Sequence, residues 1–177
     1  MNSVVVNFFG GPCAGKTVLS WNLAVRLKKE GILAEVVPEY AKILVYEGRG
    51  KALKNQRYVF AKQEFAISNL ITENQVVIVD SPILLSLIYQ KDNTIKSFVP
   101  FALEVFNSYN NLNYFVKRIY SYQPQGRVQK TEDEAVFYDK AIKKLLNDNG
   151  IPYKEIVSDD KSIDLILNDI LTKINEG

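Results

Sequence analysis

Short apolar runs alternate with longer segments of mixed polarity along the whole chain. The apolar runs are rich in valine, isoleucine and aromatic residues, a composition typical of buried strands. They predict five strands, over residues 4–9, 33–37, 75–79, 113–118 and 153–157. Pro38 directly follows the second run and is expected to end it.

Between the strands, apolar residues recur with the period of an α-helix. This period predicts helices over residues 17–30, 55–72, 83–90, 95–109, 131–149 and 162–174, a helical turn over 40–47 and a basic loop over 47–51. Thr131 and Glu134 have the spacing of a capping box. The alternation predicts a three-layer α/β fold, with a five-stranded parallel sheet between helices on both faces.

Composition indicates a single domain over residues 1–177. The chain is 47% hydrophobic, and no segment rich in serine, glycine or proline divides it. One cysteine cannot form an internal disulfide, and the chain enters its first strand without a signal-peptide pattern. The apolar runs are much shorter than the roughly 20 residues of a membrane-spanning helix. We therefore expect a cytoplasmic protein without a membrane partner.

The sequence contains no histidine. This absence excludes a histidine general base, a Ser-His-Asp triad and a zinc site built on histidine. Any proton transfer must therefore fall to carboxylates.

A phosphate-binding loop pattern, G-x-x-x-x-G-K-[ST], follows the first strand. Its members are Gly10, Gly11, Pro12, Cys13, Ala14, Gly15, Lys16 and Thr17. In such loops backbone N–H groups surround the phosphates, the lysine reaches the β- and γ-phosphates, and the hydroxyl is a ligand of Mg²⁺. The pattern predicts binding of ATP with Mg²⁺, and a glycine-rich turn that binds nothing is the alternative.

Asp80 ends the continuous apolar run of the third strand. A buried parallel strand that ends in aspartate is typical of the magnesium-associated carboxylate in phosphate-loop proteins. Together with the loop upstream, it predicts that Asp80 contributes to the metal site. The alternative is that Asp80 only caps the next helix.

The basic residues concentrate in two segments. Residues 42–57 contain five cations against one acid, residues 113–130 contain four cations and no acid, and residues 131–177 are acidic. Such runs are often only solvated faces. Their positions after the second and fourth strands nevertheless match an acceptor site, over about 39–63, and a mobile lid, over about 119–130, in small kinases. A switch GTPase would need an N-K-x-D segment, which is absent, and the chain is short for an assembly ATPase with a helical lid.

Several segments resemble the nicotinamide riboside kinase-like (AAA_28) family of small P-loop kinases, which includes many phage-encoded proteins. The resemblance covers most of the chain and is carried by residues 10–17, 37–42, 60–63, 79–82 and 126–134. It implies a P-loop kinase fold and transfer of the γ-phosphoryl group of ATP to a hydroxyl of a nucleoside, nucleotide or nucleic acid. Lys42 stands where related members that act on nucleosides usually have arginine, so the acceptor stays open.

The kinase interpretation gives each candidate residue a role. Lys16 would neutralise phosphate charge, and Glu39 is the first candidate for the general base, with Asp80 as the second. Arg127, and also Arg118, would close over the transferred phosphoryl group. Arg57 and Gln63 would recognise the base or phosphate of the acceptor. Alternatively, Glu39 is a surface acid at a strand end and Gln63 a solvated helix residue.

Two other functions stay open. The chain also resembles phage enzymes that phosphorylate 5-hydroxymethyluracil in DNA. Cations interleaved with Tyr114, Phe115, Tyr120 and Tyr122 would suit a single-stranded or flipped base. The other alternative is a regulatory protein that binds ATP without a catalytic role. The sequence leaves the oligomeric state undetermined.

Overall fold

The computed structural model describes residues 3–90, 95–119 and 131–176. Five strands form one sheet in the order β2-β3-β1-β4-β5, and every pairing is parallel. The strands are β1 (Val4–Phe9), β2 (Ala34–Val37), β3 (Val76–Val79), β4 (Asn110–Val116) and β5 (Lys154–Ile156). The predicted five-stranded parallel α/β fold is confirmed.

Eight helices occur in the described part of the chain. They are α1 (Lys16–Lys29), α2 (Tyr40–Tyr46), α3 (Gly50–Lys54), α4 (Gln56–Leu70), α5 (Leu85–Tyr89), α6 (Phe98–Asn107), α7 (Glu132–Asp148) and α8 (Asp160–Asn175). None is long and apolar enough to cross a membrane.

The core lies on both faces of the sheet because side chains alternate along each strand. In β1, Val4, Val6 and Phe8 pack in one cluster with residues of α1 and α8. Val5 and Phe9 point to the other face and pack with residues of α4, α5, α6 and α7. The first strand is therefore buried on both faces, as its continuous apolar sequence predicts.

Side-chain caps fix the starts of the last two helices. The Glu134 N–H donates to Thr131 Oγ1 over 3.2 Å, and the Thr131 N–H donates to Glu134 Oε2 over 3.3 Å. The predicted capping box is therefore confirmed. Asp159 caps α8 by accepting from the Ser162 N–H over 2.8 Å. Hydrogen bonding to the backbone and to the side chain of Ser162 lowers the pKa of the Asp159 carboxyl group. This cap starts α8 at Asp160, two residues before the predicted position.

The helix α3 and the strand β4 also differ from the prediction. The short helix α3 begins at Gly50, inside the basic loop predicted over residues 47–51, since packing on α2 and α4 outweighs glycine's weak helix propensity. Strand β4 begins at Asn110 rather than at residue 113 because its asparagines pair across the sheet. The buried Asn7 amide donates to Asn111 Oδ1 over 2.8 Å and to Asn113 Oδ1 over 3.1 Å. The first residues of β4 are polar, so a search for apolar runs does not detect where this strand begins.

Candidate active site

The phosphate loop connects β1 to α1 through an unusual backbone. Gly10 has φ 142°, Gly15 has φ 97°, and Cys13 has φ 61° although it is not glycine. A Cβ atom on Gly10 would lie 2.8 Å from the Val116 carbonyl oxygen, so glycine is required there by close approach as well as by φ. The left-handed conformation of Cys13 costs roughly 1 kcal/mol, which the surrounding contacts must offset.

The Lys16 side chain folds back over this loop. Its Nζ donates to the carbonyl oxygens of Gly10 over 2.8 Å and Gly11 over 2.9 Å. Within α1, the first turn contains no acidic side chain, and Gly15 at its N-cap has no side chain to bond the N–H groups. The positive end of the helix and the ammonium group therefore lie beside the same short loop, which suits an anion.

The two predicted metal residues lie together. Thr17 Oγ1 donates to Asp80 Oδ2 over 2.7 Å, at the point where β3 ends beside β1. The described residues contain no group of three or more acidic, cysteine or histidine side chains that could hold a metal ion. Protein sites for Mg²⁺ commonly supply one or two oxygen ligands and leave the rest to phosphates and water. A hydroxyl and a buried carboxylate in contact fit this ion.

Glu39 lies at the same edge of the sheet. It follows β2, whose Val37 pairs with Val79 of β3, so Glu39 and Asp80 come from neighbouring strand ends. The buried Gln63 of α4 holds this turn: its Oε1 accepts from the Tyr40 N–H and its Nε2 donates to the Pro38 carbonyl, both over 3.1 Å. Only 4% of Gln63 is exposed, so it is not a solvated helix residue.

A small open cleft lies beside this turn. Its lining consists of Glu39, Ala41, Gln56, Val59, Gln63, Ser81, Pro82, Ile83, Leu85, Ser86 and Tyr89. Among the described residues, the lining is uncharged except for the Glu39 carboxylate. It combines the strand ends of β2 and β3, which is the usual place for a ligand in an open α/β sheet.

Two other predicted residues, Arg57 and Arg118, lie outside the cleft. Arg57 is exposed on α4 and does not line the cleft. Arg118 is 9% exposed and forms an ion pair with Asp139 over 2.6 Å, while its other terminal nitrogen donates to the Pro12 carbonyl. It therefore contacts the phosphate loop rather than the acceptor cleft. Arg127 and residues 120–130 of the predicted lid lie outside the described residues.

Two of the four aromatic residues that the sequence suggests for a nucleic-acid surface are buried, so that prediction is wrong for them. Tyr114 and Phe115 belong to β4 and lie in the core, so neither ring can stack on a base. The Tyr114 hydroxyl donates to Asp169 Oδ2 over 2.8 Å, and burial with this bond raises the pKa of the phenol well above its usual value. Tyr120 and Tyr122 lie outside the described residues.

Two polar contacts of the loop were not predicted from the sequence. Asp139 Oδ1 accepts from the Gly11 N–H over 2.6 Å, and Ser158, just after β5, donates to the Gly15 carbonyl over 3.3 Å. Asp139 lies one helical turn after the buried Ala135, and that spacing was the available signal that it faces inward. Nothing local in the sequence distinguished Ser158.

Comparison with known proteins gives one family and several structures. The family model AAA_28, described as an AAA domain, matches residues 5–161. A search of curated proteins finds no match. The P-loop domain implies nucleotide binding.

Solved structures of small kinases have a similar fold. Deoxyadenosine kinase from M. mycoides with bound dATP has a TM-score of 0.57 and 19% identity, over 94% of this chain and 98% of that one. The same enzyme with dCMP and dCDP has a TM-score of 0.52 and 17% identity, over 95% and 98%. APS kinase from Mycobacterium tuberculosis has a TM-score of 0.52 and 14% identity, over 98% of both chains. At these identities the similarity concerns the fold.

Proposed function

The chain belongs to the AAA_28 family, and we propose that it is an ATP-dependent kinase that phosphorylates a hydroxyl group of a nucleoside. The observation that carries this proposal is the arrangement at one sheet edge. A complete phosphate loop and the Thr17–Asp80 pair lie at the same sheet edge as a cleft whose one charged side chain among the described residues is Glu39. A kinase needs these parts next to one another: a site for the triphosphate, a metal site and a place for the acceptor.

The phosphate loop would hold the triphosphate. Lys16 would leave its loop carbonyls to bond the β- and γ-phosphates, and the N–H groups at the start of α1 would face the same anion. Thr17 and Asp80 would hold Mg²⁺, which neutralises phosphate charge when bound. Because phosphoryl transfer depends mostly on positioning and charge, this set provides the main requirement of the reaction.

Glu39 is the better candidate for the general base. Asp80 already accepts the Thr17 hydroxyl and is assigned to the metal, whereas Glu39 lines the cleft where a hydroxyl would enter. In the reaction, the acceptor hydroxyl would give its proton to Glu39 as its oxygen bonds to the γ-phosphorus. The bond from that phosphorus to the bridging oxygen breaks, and ADP leaves.

The cleft favours an uncharged acceptor. Its described lining has no lysine or arginine, whereas sites for phosphate groups in proteins usually provide cations. Val59, Ile83 and Leu85 are at most 7% exposed and form the buried wall of the cleft, whereas the partly exposed Glu39, Ser81 and Tyr89 offer polar groups to a sugar or to the edge of a base. This composition favours a nucleoside over a nucleotide.

A second acceptor class, a hydroxyl within a nucleic acid, is favoured by a cationic surface next to the cleft. Lys51, Lys54, Arg57 and Lys62 are exposed on α3 and α4, and none forms an ion pair within the described residues. The Lys62 ammonium lies 5.9 Å from the centre of the Tyr58 ring, as in cation–π pairs. Such a surface would attract a polyanion.

Transfer of label from radiolabelled ATP tests the proposal. The acceptors are nucleosides, nicotinamide riboside, nucleoside monophosphates and DNA with modified bases, each at low and high salt, with Lys16→Ala as the inactive control. The proposal predicts label on a nucleoside with weak dependence on salt. Label on DNA that disappears at high salt would favour the second class. No label on any acceptor, despite ATP binding, would favour a regulatory ATP-binding protein.

A further inference from the structure

A largely shielded ion pair joins the phosphate loop to α7. Asp139 of α7 uses one carboxylate oxygen to accept the Gly11 N–H and the other to accept Arg118, each over 2.6 Å. Arg118, which follows β4, also donates to the Pro12 carbonyl. The Arg118 side chain is 9% exposed and the Asp139 side chain 21% exposed. The pair is therefore largely shielded from water and bonded at both ends to loop backbone.

The packing around Gly11 is close. A Cβ atom there would lie 2.7 Å from the Ala135 carbonyl oxygen and 2.7 Å from Asp139 Oδ1. Since φ at Gly11 is not in the left-handed region, glycine is needed there for space rather than for conformation. The backbone of α7 thus touches the loop at the point where Asp139 accepts its N–H group.

The bonds fix the orientation of two peptide units in the loop. The Gly10 carbonyl and the Gly11 N–H belong to one planar unit, which Lys16 holds at its oxygen and Asp139 at its nitrogen. The Pro12 carbonyl and the Cys13 N–H belong to another unit. Because the carbonyl and N–H of a trans peptide point in opposite directions, the Arg118 bond directs the Cys13 N–H away from Arg118.

We propose that Arg118 and Asp139 are a positioning pair for the nucleotide, which holds these two peptide units of the phosphate loop in the orientation that binds phosphate. The proposal rests on the nucleotide site of the proposed function and extends it to two residues outside the loop motif. It also accounts for the left-handed backbone of Cys13, which the pair holds from the preceding peptide unit. In this proposal Arg118 positions the phosphate loop, whereas the sequence predicts that it contacts the acceptor or the transferred phosphoryl group.

Asp139→Asn is the sharpest variant because it keeps the size of the side chain. Asparagine has one acceptor oxygen for two donors, so either the Gly11 N–H or Arg118 loses its partner. Hydrogen bonds to charged groups are about twice as strong as neutral ones. We expect the Kd for ATP to rise at least about tenfold, the effect of about 1.4 kcal/mol. Asp148→Asn, which removes an exposed pair with Lys144 on the same helix, is the matched control and should leave the Kd unchanged.

Variants of Arg118 test whether the two residues act together. Arg118→Met keeps much of the side-chain volume and should weaken ATP binding to a similar extent. The double variant should have a Kd for ATP no higher than that of the more weakly binding single variant, because either substitution already disrupts the same pair. Arg118→Lys should recover part of the affinity, because one ammonium cannot reproduce the fork that reaches both Asp139 and Pro12. Independent, additive losses would contradict the pairing.

The Cys13 thiol gives a readout without activity or acceptor. It is the only cysteine in the sequence and lies next to the held peptide unit. In nucleotide-free protein, Asp139→Asn should change the rate of thiol alkylation several-fold, and Asp148→Asn should not. If Asp139→Asn only lowers the melting temperature, while the Kd for ATP stays within twofold and the alkylation rate is unchanged, the pair is merely structural and the proposal fails. That outcome is distinct from failure of the kinase proposal, in which nucleotide binds but no acceptor is phosphorylated.

Discussion

Replacement of Gln63 by leucine separates a structural role from the acceptor contact that the sequence predicts. The Gln63 amide bonds both sides of the turn that carries Glu39, through the Pro38 carbonyl and the Tyr40 N–H. Leucine has a similar size but no polar atom, so both backbone groups lose their partner. The P-loop is not part of this contact.

The expected magnitude follows from the two bonds and from the burial of Gln63. A buried backbone group left without a partner costs about 1–3 kcal/mol, which gives about 2–6 kcal/mol for two groups. The cleft beside Gln63 lets water reach the turn, so we expect a value near the lower limit, about 2 kcal/mol. Gln56→Leu is a graded control, since Gln56 lines the same cleft and donates one bond, to the Leu53 carbonyl over 2.8 Å. It should cost about half as much.

Urea denaturation of the two variants measures these costs, and kinetics measures the consequence for the site. With the turn loosened, Gln63→Leu should lower kcat while the Kd for ATP stays normal, because Glu39 is less well placed. The reasoning is refuted if Gln63→Leu is as stable as the wild type and raises only the KM for the acceptor. Gln63 would then be the acceptor contact that its position in the sequence predicts.

Two further predictions concern the loop and the pH dependence of folding. Alkylation of Cys13 should slow sharply when MgATP is added, because bound phosphates would cover the loop; an unchanged rate would mean that ATP binds elsewhere. Asp159 has a lowered pKa in the folded protein, so its contribution to stability is present above the unfolded pKa and disappears as the pH falls through the folded value. The difference in unfolding free energy between wild type and Asp159→Ala should therefore be largest near neutral pH and shrink in acid, and a difference independent of pH would contradict the cap as its source.

The sequence predicted the parts of the site that local chemistry specifies. The motif over residues 10–17 is recognisable from its own sequence, because its glycines, lysine and threonine lie between a strand and a helix that are also predictable. Asp80 ends a strand whose apolar sequence requires burial, and the parallel order of the sheet then brings it to Thr17. For such residues, a local motif and a position at the carboxyl end of a parallel strand are sufficient to predict their place in the site.

The contacts that the sequence did not predict depend on partners far away in the chain. Asp139 accepts from a residue 128 positions earlier, and its spacing from Ala135 indicates an inward-facing side chain but not the partner. The role of Gln63 and the start of β4 were not predicted for the same reason: Gln63 bonds backbone groups and the β4 asparagines bond the buried Asn7, and no periodicity in the sequence indicates these partners. Conversely, Tyr114 and Phe115 lie among cations in the sequence but inside the sheet in the structure.

The most direct test of the kinase proposal measures ADP formation with and without a nucleoside, for the wild type and for Glu39→Gln. The wild type should form ADP faster when the acceptor is present, and one phosphorylated nucleoside should appear for each additional ADP. In Glu39→Gln the acceptor-stimulated rate should fall roughly 10²–10⁴-fold, while the slow hydrolysis of ATP by water and the affinity for ATP stay close to those of the wild type. ADP formation that no acceptor accelerates in the wild type would contradict the proposal.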